Sequence, residues 1–183
     1  MREVAPGAAA GLVAAMAEEG ELAGLRLARG CRCFAALEGE DVTGYGWLSS
    51  GAEWIGEVRL EITPAAGEAY VWNCLTLPAH RRRGTFRAVL IRISSVLKAE
   101  GVTRLWIASG GTGAETALPD AGFRPVLQVG ESPLGFSRLR LLRLTAIAGA
   151  DRPLVSAARR ALGGGGRPHP PGALGRRPGS RRH

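Results

Sequence analysis

The stretch Pro78-Ala79-His80-Arg81-Arg82-Arg83-Gly84-Thr85-Phe86-Arg87-Ala88-Val89-Leu90 decides how this chain is read. Upstream, residues 70–77 are apolar or β-prone and closed by Pro78, which predicts a strand. Downstream, Phe86, Val89, Leu90, Ile93, Val96 and Leu97 recur at helical spacing, which predicts a helix over 84–100. The basic run and Gly84 therefore fall between a strand and a helix N-terminus. Main-chain N–H groups lack partners there, and the helix dipole is positive. A phosphate or pyrophosphate fits such a place. Gly84 lets the backbone come close, and three arginines add charge-assisted bonds. The same run also suits a solvated face or one end of a nucleic-acid patch, and the local residues leave these readings open. The stretch is neither a P-loop nor a dinucleotide fingerprint, because GxxxxGK[ST] and GxGxxG are both absent.

Taken in order, the strand, Pro78, Arg81-Arg82-Arg83-Gly84, Thr85, Phe86 and an amphipathic helix resemble the acyl-CoA loop of the GNAT superfamily of N-acetyltransferases. The usual pattern of that loop is R/Q-x-x-G-x-G/A after a strand. A second segment agrees: residues 104–109 read as a strand, followed by a short helical stretch ending in Ala121-Gly122-Phe123. Members of the superfamily commonly end their second cofactor helix in such a Gly-Phe pair. The resemblance covers roughly residues 30–145.

The resemblance implies acetyl-CoA as acyl donor and a small-molecule or peptide amine as acceptor, joined by direct attack in a ternary complex. It implies that the amides of Arg81, Arg82, Arg83, Gly84, Thr85 and Phe86 bind the pyrophosphate. The strand edge at Cys74, Leu75 and Thr76 would pair with pantetheine through main-chain groups. Phe86 stands where Gly or Ala is usual, so its ring must turn into the core or it narrows the site. The family often carries Asn near the start of the second cofactor helix and Tyr four residues before its final glycine. Here those positions hold Gly111 and Leu118, so the tyrosine acid toward the leaving thiolate is missing.

An ammonium acceptor must lose a proton before it attacks, which calls for a base. Glu68, Tyr70 and Trp72 share one face of the 70–77 strand by two-residue alternation. Glu68 is the best-placed carboxylate, and the family's base on this strand aligns nearest to Tyr70. Glu57 and Glu61 are alternatives on the preceding strand, and an isolated Glu near a strand end is equally a solvated charge. Trp47, Trp54, Tyr70 and Trp72 line an acceptor pocket or form core. Asn73 has no assignment, and His80 is expected to face solvent.

A chain of 183 residues with 45% hydrophobic content suits one domain with a single core. No apolar run reaches the length of a membrane span, and residues 1–20 lack a basic segment before their apolar stretch. Cys31, Cys33 and Cys74 form an odd set without metal-ligand spacing, so reduced thiols, a cytoplasmic setting and no metal are expected. The net charge of +8 is uneven. Residues 148–183 hold eight arginines and one acid, while residues 1–147 hold 16 basic and 15 acidic residues. The last 36 residues also carry Gly163-Gly164-Gly165-Gly166 and a Pro, Gly and Arg mixture that cannot bury a core of its own.

The expected organisation is a domain over 1–147 and a basic, disordered tail over 148–183. Within the tail, residues 152–162 are helix-compatible with Pro153 near the start. Helices are expected over 8–19 and 21–29, a hairpin over 32–37 and 42–48, and strands over 57–62, 104–108, 126–129 and 136–144. Residues 114–121 form a poor helix because of Pro119. The fold class is α+β in an α/β/α arrangement: a mixed, mostly antiparallel sheet flanked by helices, with residues 1–4 as the only candidate for a first strand. Two other functions fit parts of the chain. One is an acyl-CoA-binding module without efficient catalysis. The other is a nucleic-acid-associated protein using the arginine-rich tail, whose lack of aromatics leaves only salt-sensitive, non-specific binding. No oligomeric state follows from the residues.

Overall fold

The computed structural model describes residues 1–5, 7, 9–56, 58–110, 114–133 and 140–163. The chain begins with β1 (Arg2–Glu3) and α1 (Ala10–Met16), which tightens into a 3-10 turn (Ala17–Glu19) before α2 (Leu22–Ala28). Next come β2 (Arg32–Glu38), β3 (Asp41–Ser49), β4 (Glu53–Ile55), β5 (Leu60–Ile62) and β6 (Glu68–Thr76). A 3-10 turn (Pro78–His80) leads into α3 (Thr85–Ala99) and β7 (Arg104–Ile107). Two further 3-10 turns (Ala114–Thr116 and Pro119–Ala121) precede β8 (Leu127–Pro133), β9 (Arg140–Ala146) and α4 (Arg152–Gly163).

The main sheet has five strands in the order β1-β2-β3-β6-β7. Its first three pairings are antiparallel and β6–β7 is parallel. β4–β5 and β8–β9 are separate antiparallel hairpins. The first strand expected at 1–4 is present, extended by a bond from Val4 N to Cys33 O (2.8 Å).

Strand alternation sorts the core onto two faces. Cys33 and Ala35 of β2 with Tyr45 and Trp47 of β3 meet Leu12, Met16 and Ala23 of α1 and α2. The intervening residues Phe34, Ala36, Leu48, Ala69 and Val71 meet Val89, Leu90, Ile93 and Leu97 of α3 on the other face. Two glycines let α3 lie close. A Cβ at Gly46 would stand 2.8 Å from Cys74 Sγ and 3.1 Å from Val89 Cγ1, and one at Gly44 would stand 2.9 Å from Thr85 Cγ2. Larger side chains there would lever the α3 N-terminus off the sheet, so these glycines set where the basic loop is held.

The structure departs from expectation at β5, at β4 and at residue 147. The strand predicted over 57–62 shortens to β5, because Arg59 takes a left-handed φ of 53° that a strand cannot hold. β5 then pairs with β4, a three-residue strand that is too short to leave a pattern. The expected boundary at residue 147 is corrected. α4 buries Val155, Ala157, Ala158 and Ala161, and Ala161 joins Ile55, Ile62 and Tyr70 in a third core cluster. Ala161 O also accepts a bond from Thr63 N (2.8 Å). The core therefore takes in α4, and the rest of the expected tail, residues 164–183, lies outside the described residues. Among the described residues no helix is long and apolar enough to cross a membrane.

Candidate active site

β6 and β7 are zipped together only from Glu68↔Arg104 to Val71↔Ile107. Beyond that β6 continues to Thr76 with no ladder partner on that side among the described residues. The remaining length, from Trp72 to Thr76, is about 13 Å of open strand edge at the usual rise per residue. The divergence coincides with a bulge. On β3 the pairing steps from Tyr45 to Trp47 while on β6 it steps from Leu75 to Trp72, so β6 carries one extra residue. Asn73 absorbs it with a left-handed φ of 44°. The bulge also reverses the facing that follows, so that Cys74 packs with the α3 cluster instead of beside Trp72.

The open edge runs into the basic loop. Arg82 (φ 61°) and Gly84 (φ 76°) both take left-handed backbone, curling the chain into the start of α3. Gly84 occupies the N-cap position and no side chain caps the helix. Among the described residues the main-chain N–H groups of residues 82–86 form no hydrogen bond. The arrangement is a concave set of donors at the positive end of a 15-residue helix. Arg81, Arg82 and Arg83 are exposed around it. Arg83 lies 3.5 Å from Glu38, whereas Arg81 and Arg82 make no ion pair among the described residues. Phe86 turns inward and packs against the α3 core cluster, so the ring does not narrow the loop. His80, expected to face solvent, is half-buried with Nδ1 3.5 Å from the same Glu38 carboxylate.

In chain order the open edge at Cys74, Leu75 and Thr76 leads through the 3-10 turn into the loop from Arg81 to Phe86. The Cys74 thiol sits above its ordinary range, pushed up to about 12 by burial and then by Cys33, so it is a protonated, poorly nucleophilic group at neutral pH.

The two expected base residues lie elsewhere. Glu68 begins β6, five residues before the bulge, which is about 16 Å along a strand. Its carboxylate is buried; Oε1 pairs with Arg104 and Oε2 accepts from Trp106 Nε1 (2.6 Å). Tyr70 is buried in the cluster under α4. Both stand where β6 and β7 are closed to each other, and Glu68 has its oxygens committed to holding them closed. Glu61 pairs opposite Trp54 on the β4–β5 hairpin, and residue 57 lies outside the described residues. Leu118 packs into the α3 cluster and offers no acid there; Gly111 also lies outside the described residues.

The bulge instead adjoins a group of side chains that local sequence reading leaves scattered. Arg26 of α2 is buried, with its guanidinium 5.2 Å from the Trp47 ring and 4.6 Å from the Trp72 ring. Its Nη2 donates to Glu19 Oε2 (2.9 Å), and Asn73 Nδ2 donates to the same oxygen (2.8 Å). The separations are 7 and 54 residues, so only the fold assembles this group. Trp47 is fully buried core, Trp54 is partly exposed on β4, and Trp72 is half-buried between the two clusters.

Comparison with known proteins gives the family. The fold matches a protein from Agrobacterium tumefaciens str. C58 described as a candidate acetyltransferase, with a TM-score of 0.52 and 19% identity over 74% of this chain and 96% of that one. It matches an aminoglycoside acetyltransferase from an uncultured soil metagenomic sample with a TM-score of 0.50 and 17% identity, over 73% of this chain and 97% of the other. The aminoglycoside N-acetyltransferase AAC(6')-Iy in complex with CoA matches with a TM-score of 0.50 and 14% identity, over 76% and 98% of the two chains. These likenesses are of fold. No curated protein matches the chain in sequence. The sequence pattern of the acetyltransferase (GNAT) family matches residues 9–123, more than half of the chain and all of the surface just described. The strand–loop–helix unit at residues 70–99 thus sits within that match, and the chain belongs to the acetyltransferase (GNAT) family.

Proposed function

We propose that the protein transfers the acetyl group of acetyl-CoA to an amine by direct attack in a ternary complex. One observation carries the reading: the open edge of β6 starts beside the Asn73 bulge and leads to the amides of residues 82–86 at the start of α3, which form no hydrogen bond among the described residues. A pyrophosphate would accept bonds from residues 82–86, with Arg81 and Arg82 free to add charge. A pantetheine arm would lie along Trp72 to Thr76 as an added strand, needing only main-chain groups. The thioester would then reach the bulge.

An amine that arrives as an ammonium gives up one proton to solvent before attack. Its lone pair forms the N–C bond, and the C–S bond breaks as the tetrahedral intermediate collapses. The thiolate leaves with CoA and takes up the second proton from the nitrogen or from solvent. Holding donor and acceptor in this geometry supplies much of the rate. Cys74, protonated and turned into the core, supports direct transfer over an acyl-enzyme. The three cysteines are free thiols, which supports a reducing, cytoplasmic setting.

Calorimetric titration with acetyl-CoA should give saturable one-site binding. A thiol-release assay over alkylamines, arylamines, aminoglycosides and peptide N-termini should then show amine-dependent CoA release above hydrolysis. Absence of saturable acetyl-CoA binding would overturn the reading. Binding without turnover on any amine would reduce it to an acyl-CoA-binding module.

A further inference from the structure

We propose that Glu19 is the carboxylate that receives the acceptor's ammonium group, which makes the acceptor an amine that arrives as a cation. The inference rests on the acetyl-transfer reading and assigns the acceptor side of that site. Glu19 ends the 3-10 turn between α1 and α2 and faces the point where β6 leaves β7. Its Oε2 is fixed from two directions, by Arg26 Nη2 and by Asn73 Nδ2, the side chain of the bulge residue itself. Its Oε1 makes no hydrogen bond among the described residues, and the side chain remains 52% exposed. One oxygen is thus anchored beside the expected position of the thioester, and the other is presented to solvent.

The surroundings of this carboxylate are rich in donors. Arg26 Nη1, Trp47 Nε1 and Trp72 Nε1 are buried without partners among the described residues. The Tyr45 hydroxyl is pushed up to about 12, by burial and then by the negative charge of Glu19. Arg26, wedged over two tryptophan rings, holds Glu19 in place without reaching Oε1. A counter-ion for Arg26 alone would not need a second contact from the bulge residue. The link from Asn73 ties the carboxylate to the strand that carries the acyl group.

The test compares wild type with Glu19→Gln. Glutamine keeps an oxygen for Arg26 and Asn73 but loses the charge. The acceptors are two amine classes: primary alkylamines, which are cationic at neutral pH, and arylamines, which are neutral. Glu19→Gln is expected to lower kcat/KM for alkylamines by about 10- to 100-fold, carried mainly by KM, as for loss of a charge-assisted bond. Arylamine rates and acetyl-CoA affinity should fall much less than the alkylamine rate, because a neutral amine has no charge-assisted bond to lose. Glu19→Asp should recover part of the alkylamine rate. Equal losses for both amine classes would mark Glu19 as structural and overturn the inference, as would no loss for either. A wild type that binds acetyl-CoA but acetylates only arylamines, or no amine, would overturn it while leaving cofactor binding intact. Failure of the wild type to bind acetyl-CoA would overturn the acetyl-transfer reading, and this inference with it.

Discussion

Replacing Gly84 with aspartate is expected to weaken acetyl-CoA binding by about 30-fold or more, equivalent to roughly 2 kcal/mol. The substitution sets a carboxylate at the N-cap of α3, among the amides proposed to take the pyrophosphate. Like charges at contact distance oppose each other, and the carboxylate would claim the same N–H groups. The fold should tolerate the change. A Cβ at Gly84 meets nothing within 4 Å, and aspartate is both a favoured N-cap and one of the few residues that visits left-handed backbone. Gly84→Asn separates charge from shape, because it brings the same size and backbone preference without the charge. Calorimetry on both variants, each checked for a native melt, gives the answer. Wild-type affinity in a folded Gly84→Asp protein would remove the pyrophosphate from this loop.

That loop was legible because its signals are local. Pro78, the arginines, Gly84 and the spacing of Val89, Leu90, Ile93 and Leu97 occupy one short segment, and each acts through main-chain geometry or helical periodicity. The β2–β3 hairpin was legible for the same reason, with Gly39 supplying the positive φ of its turn. Residues whose roles depend on distant partners were not. Glu68 reads as a lone carboxylate until Arg104 and Trp106 arrive from 36 and 38 residues away. Asn73 looks like an ordinary strand residue, although a polar residue able to hold positive φ inside an apolar strand was the available hint of a bulge. α4 was legible as a helix but not as part of the core. Its partners Ile55 and Ile62 lie on short strands almost 100 residues earlier, and the basic composition around it masked the apolar stripe of Val155, Ala158 and Ala161.

The place of α4 in the core leads to the second large effect. A chain ending at residue 151 should melt about 10 °C lower than the full chain, for a loss of about 3 kcal/mol. The truncation removes the burial of Val155, Ala157, Ala158 and Ala161 and the bond to Thr63, and it uncovers Ile55, Ile62 and Tyr70. Newly exposed apolar surface should also raise its tendency to aggregate. A chain ending at residue 163 should melt like the full chain and bind acetyl-CoA as well. Any DNA or RNA binding by the full chain should be lost in the chain ending at 163, and should fall steeply with salt before that. A chain ending at 151 with an unchanged melt would make α4 an appendage. Nucleic-acid binding that survives the loss of residues 164–183 would move the basic surface to Arg81–Arg83 and compete with the cofactor for it.

Among the described strands β6 and β7 are the one parallel pair, and that sets an order in time. β2 and β3 meet across a two-residue turn and can zip within microseconds of collapse. β6 and β7 join residues 36 positions apart, Glu68 and Arg104, and the crossover between them must first carry the basic loop and α3 over the sheet. Closing so long a connection costs chain entropy before a single β6–β7 bond offsets it. The basic loop travels inside that connection. The capacity to hold acetyl-CoA should therefore be the last property the refolding chain acquires, and pulse-labelled amides of β3 should be protected before those of β7. On the proposed reading, a nascent chain would not engage its donor until the β6–β7 wall of the site has closed.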